Sequence, residues 1–80
     1  MKNNTYNFEG KLQKMNDHEL IDRFNQEVGN QGWGNARAAF LYALRNEFLS
    51  RDLDASKIIY EDGMSLKRKI CLKGKEIDFV

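Results

Sequence analysis

The 80-residue chain is 41% hydrophobic and 31% charged with a formal net charge of +1, a balance that belongs to folded globular proteins and excludes a disordered or membrane-embedded chain. A charge so near zero gives no global attraction to nucleic acid or to an anionic membrane. Eighty residues make one small domain, burying only about 60–65% of the surface its unfolded chain exposes, so no second core is expected and spare stability is modest.

The single cysteine, Cys71, has no partner for an internal disulfide, which favours a reducing compartment. Residues 1–8 lack the apolar run of a signal peptide, and no later run approaches the ~18 residues of a membrane span. The expectation is a cytoplasmic protein without membrane association.

Residues 1–4 read as a polar tail. Tyr6, Phe8 and Leu12 alternate partially and suggest a short strand, interrupted by Gly10. A helix start follows, because Asn16 with Glu19 three positions on is a capping box, and Met15 with Leu20 is the matching hydrophobic staple. Leu20, Ile21, Phe24 and Val28 share one face while Asp22, Arg23 and Gln26 face water, and Gly29 suits the left-handed position that ends a helix. The spacing predicts a one-sided helix over 17–28.

A loop with three glycines, residues 29–34, leads into a longer helix over 35–51, starting near the good cap residue Asn35. At about 100° per residue, Phe40, Leu41, Leu44 and Phe48 form a strong apolar sector that Ala36, Ala39 and Ala43 widen. A second, weaker stripe gathers Ala38, Tyr42 and Leu49 around Arg45. A helix apolar in two directions is central to a fold or has a partner.

Asp52 and Asp54 break the helical pattern, and 57–61, 65–72 and 76–80 read as three strands. Asp62-Gly63 is a strong hairpin signal between the first two, Lys73-Gly74-Lys75 a weaker one between the last two. In the middle run Leu66, Arg68, Ile70 and Leu72 alternate with Lys67, Lys69, Cys71 and Lys73. The expected fold is α+β, two helices packed on one face of a small antiparallel sheet in the order β-α-α-β-β-β. The long helix would lay Phe40, Leu44 and Phe48 on Ile58, Ile70, Leu72, Ile77 or Phe79.

Little here suggests catalysis, since there is one histidine and one cysteine and neither has a spacing signature. His18, in the first turn of a helix, reads as a surface residue. Cys71 on the lysine-bearing face is a candidate reactive thiol, weighed against the plainer role of a half-buried small hydrophobe. Asp52 and Asp54 lack the rest of a calcium loop, and Glu61 with Asp62 reads as turn chemistry. The expectation is a non-enzymatic protein with no cofactor and no metal.

Two features remain that point to binding of nucleic acid. Gly29-x-x-Gly32-x-Gly34 feeds a helix N-terminus, a place that can hold an anion through backbone N–H groups. It is neither a P-loop nor a dinucleotide fingerprint, lacking the Lys-Ser/Thr ending and following a helix instead of a strand. As a GxxG between two helices, Gly29-Asn-Gln-Gly32 makes the order β-α-GxxG-α-β-β similar to that of a KH-type RNA-binding domain. Asn30 and Gln31 stand where such loops carry Lys or Arg, and the first helix is longer, so the similarity assigns no family. Trp33 is a candidate stacking platform, with cover for the helix ends the favoured role.

The second feature is charge, since residues 64–80 hold five basic side chains against two acidic ones. Lys67, Lys69, Lys73 and Lys75, together with Gly29 and Gly32, form the surface of a nucleic-acid-binding reading. Tyr60 and Phe79 are thin aromatic support for it, and lysines on a wet sheet face also discourage edge-to-edge pairing. The leading reading is a protein-interaction or regulatory module in which Ala38, Tyr42 and Leu49 bind a partner or a second copy, Tyr42 being the anchor. Its competitor is that the first helix or the N-terminal segment covers this stripe within the chain.

Overall fold

A computed structural model describes residues 8–30 and 34–80. The polar tail, Tyr6, Gly32 and Trp33 lie outside the described residues. Among the described residues, three helices, α1 (Phe8–Gln13), α2 (Asp17–Glu27) and α3 (Asn35–Ser50), precede four short strands, β1 (Ile59–Tyr60), β2 (Gly63–Met64), β3 (Ile70–Lys73) and β4 (Glu76–Phe79). The class is α+β, as the segregation of helical and alternating patterns requires.

The start of α2 follows the capping chemistry in its sequence. Asn16 Oδ1 accepts the Glu19 N–H at 2.8 Å, and Glu19 Oε1 accepts the Asn16 N–H at 2.8 Å. At its far end Gly29 takes φ 79°, the left-handed turn that releases the chain from the helix. The start of α3 is shifted by one residue: Asn35 is the first helical residue and Gly34 the cap, with no capping side chain.

The strand expected around Tyr6, Phe8 and Leu12 is corrected to helix α1. Phe8 and Leu12 are four residues apart, a spacing that fits one helix face as well as one strand face, and Glu9, Lys11 and Gln13 are good helix formers. Tertiary packing selects the helix, because Phe8 meets Phe40 edge to face at 5.2 Å between ring centroids and Leu12 is buried. With a helix in that place, the element order no longer resembles that of the KH-type domain.

In place of one sheet of three strands there are two separate antiparallel ribbons, β1–β2 and β3–β4, and β2 falls just before the expected run 65–72. The run 65–72 is divided because its first part serves the first ribbon and only its end joins the second. Ser65 donates its N–H to the Ile58 carbonyl at 2.8 Å. Ile70 is bracketed by the Asn25 side chain, which accepts its N–H at 2.8 Å and donates to its carbonyl at 2.9 Å. The amide of α2 thus takes the edge of β3 where a further strand would pair. β4 is covered in turn by Asp54, which donates to the Lys75 carbonyl at 2.8 Å and accepts the Ile77 N–H at 2.9 Å. Both edges are blunted by neighbouring chain. The turn of the first ribbon is Glu61-Asp62, one residue earlier than expected, while Gly74-Lys75 closes the second with Gly74 at φ 62°.

Among the described residues, twelve buried side chains from the helices and from the strand region form one cluster. Phe24 of α2 and Phe48 of α3 meet edge to face at 5.9 Å in it, with Leu44, Ile58, Ile70 and Ile77 around them, while Leu72 and Phe79 are partly buried against its margin. Arg51 ties the helix ends together. It reaches the Leu12 carbonyl at 2.9 Å, the Met15 carbonyl at 2.7 Å, Asp17 at 2.9 Å and Glu47 at 2.7 Å. Burial opposes its charge, yet the hydrogen bonds to Glu47 and Asp17 outweigh that and hold the guanidinium above its ordinary pKa.

Candidate docking groove on the third helix

Tyr42 is 67% and Leu49 55% exposed, and Ala38 is exposed beside them. None of the three is sealed by the described chain. Phe8, where the described chain begins, packs on Phe40, which the helical repeat sets well round the cylinder from Tyr42.

Arg45, in the middle of this stripe, turns toward the β1–β2 ribbon. Its Nη2 donates to the Tyr60 carbonyl at 2.7 Å and the Glu61 carbonyl at 3.1 Å, and its Nε to the Gly63 carbonyl at 3.2 Å. A planar guanidinium with several N–H donors can serve more than one acceptor, and here it gathers three carbonyls at the turn. The ribbon is thereby held alongside α3, leaving a groove of about 450 Å³. Ala38, Leu41 and Tyr42 line it from the helix, with Met64 and Leu66 opposite and Glu61 and Asp62 at its lip. The structure therefore brings Ala38 and Tyr42 into one concavity, and Leu49 lies farther along the same helix face.

The ribbon's half of the groove is absent from the sequence reading. One signal for it was present: a cation at the centre of an apolar stripe requires acceptors from elsewhere in the fold.

The lysine surface of the alternative reading is divided. Lys73 pairs with Asp78 at 3.4 Å and Lys75 with Asp52 at 3.2 Å, while Lys57 reaches Asp78 at 2.7 Å. The Lys57 hydrogen bond, then that from the Phe79 N–H, holds the Asp78 carboxyl down at about 2, and Asp78 in turn raises the Lys57 pKa. Lys67 and Lys69 are exposed and make no ion pair among the described residues. Arg68 lies over the Phe79 ring at 4.5 Å. Gly29 serves the end of α2, with no neighbour within 4 Å of a Cβ placed there.

The remaining chemistry-bearing residues are dispersed. His18 is exposed at the start of α2, and Cys71 is half-buried with its Sγ 4.0 Å from the Phe79 carbonyl. Asp54 Oδ1 accepts the Ser56 N–H at 3.0 Å, and Asp52 belongs to Lys75. Among the described residues, no group of three or more His, Cys, Asp or Glu is placed to hold a metal ion, and no helix is long and apolar enough to cross a membrane. No family model matches the chain, and no similar curated protein or solved structure was found, so its own geometry is the ground for a functional reading.

Proposed function

We propose that the protein is a small, non-enzymatic, cytoplasmic binding module, a protein-interaction or regulatory domain that engages a partner through Ala38, Tyr42 and Leu49 on the outer face of α3. The observation that carries this reading is the exposure of Tyr42 at an apolar groove, with exposed Leu49 farther along the same helix face. Large apolar side chains set together at a concave surface are the usual anchors of protein interfaces, tyrosine prominent among them. A photo-crosslinking amino acid placed at Tyr42, with a control at exposed Asp22 on α2, tests the reading in living cells. Adducts confined to position 42 are expected; equal yields at both sites, or none at 42, contradict it. Light scattering at millimolar concentration decides whether a second copy is that partner.

A nucleic-acid reading through Lys67, Lys69, Lys73 and Lys75, with Gly29 and Gly32 as the notional loop contribution, draws its support from the solvent-facing Lys67 and Lys69. Ion pairing at Lys73 and Lys75 weakens it, because those charges already have carboxylate partners. Titration with single-stranded and duplex oligonucleotides discriminates, since phosphate binding weakens steeply with added salt. No binding at low salt removes this alternative.

A further inference from the structure

Resting on the docking reading, we infer that the groove takes a segment of another polypeptide that inserts one large apolar side chain beside Tyr42 and Met64 and sets a lysine or arginine against Glu61 and Asp62. Three observations specify this chemistry. The floor, from Ala38, Leu41, Tyr42, Met64 and Leu66, is apolar and concave, and its volume of about 450 Å³ accommodates an aromatic or leucine side chain with its flanking backbone. Glu61 and Asp62 at the lip are exposed and in no ion pair among the described residues. The cation that lines the groove, Arg45, directs its hydrogen bonds to the main-chain carbonyls of Tyr60, Glu61 and Gly63, so both carboxylates remain for a partner's charge.

Acidic groups at the rim of an apolar concavity attract cations and fix the orientation of what binds. A two-fold contact with a second copy would present this patch with itself, concavity toward concavity and acidic lip toward a groove whose lining cation is already engaged. The complementary surface is a protruding, basic and apolar one.

Selection of a phage-displayed library of random twelve-residue peptides on the full chain tests this, with the enriched sequences then synthesised and titrated. Enriched peptides should place an aromatic residue or leucine within a turn of a lysine or arginine. Glu61→Gln with Asp62→Asn should weaken them about threefold to tenfold, as loss of two exposed ion pairs implies, and flatten their salt dependence. Tyr42→Asp should abolish binding, while circular dichroism shows each variant folded. Enriched peptides without basic residues, binding indifferent to the Glu61/Asp62 variant, no enrichment, or a dimer that Tyr42→Asp dissolves would each overturn the inference. If Tyr42→Asp still abolishes binding in the first two cases, the docking surface stands and only its partner chemistry falls. Binding indifferent to Tyr42→Asp removes both.

Discussion

Phe48 is fully buried while Leu49, the next residue of the same helix, is 55% exposed, and the contrast shows how little side-chain type decides the fate of a helix face. The inner face of α3 is covered by α1, α2 and the strand region, which share its core cluster. Among the described residues, the outer face has beside it only a ribbon of two-residue strands, held by the hydrogen bonds of Arg45. Apolar residues on the first face serve folding. On the second they remain available to something else.

The largest effect that separates the two faces is expected from their two neighbouring hydrophobes. Phe48→Ala should lower stability to urea by about 3–5 kcal/mol, the cost of emptying a buried aromatic site, whereas Leu49→Ala should stay within about 0.5 kcal/mol. Equal losses would break the comparison. The two arginines sharpen it further. Arg51→Ala removes charge-assisted hydrogen bonds that join the ends of α1 and α2 to α3, and should cost about 2–3 kcal/mol. Arg45→Ala releases the ribbon on the outer face and should cost about 1–2 kcal/mol, with broadened amide signals limited to residues 59–66.

The smallest effect belongs to Asp78, on the second ribbon. Because the Asp78 carboxyl is depressed from 3.8 to about 2 in the folded chain, its ion pairs stabilise the fold above pH ~4 and are lost as the pH falls toward 2. The stability difference between the protein and Asp78→Asn should therefore shrink across that window. A difference that stays constant from pH 5 to pH 2 would show that Asp78 gains nothing from Lys57 and Lys73.

What was legible in the sequence was local. The capping box at Asn16 and Glu19, the left-handed Gly29 and the two apolar directions of α3 each follow from residues within a few positions of one another. The division of the run 65–72 was not legible, because an asparagine 45 residues away takes the edge of β3 at Ile70. α1 was hidden by a pair, Phe8 and Leu12, whose spacing serves helix and strand alike. Half of the groove was missed for the first of these reasons: Met64, Leu66 and the Glu61-Asp62 lip come to α3 across a long separation in sequence, through packing of Met64 and Leu66 on the core and hydrogen bonds from Arg45 to main-chain carbonyls, and no local pattern records which carbonyls those are.

The division of labour between the faces of α3 is tested most directly by chemical-shift mapping of the isotopically labelled full chain, titrated first with oligonucleotides at low salt and then with cell extract. A docking surface on the outer face requires shifts at Ala38, Tyr42, Gly63 and Met64 with extract and a silent map with oligonucleotides. Shifts confined to residues 67–75 on adding oligonucleotide, with the groove unmoved by extract, would contradict it.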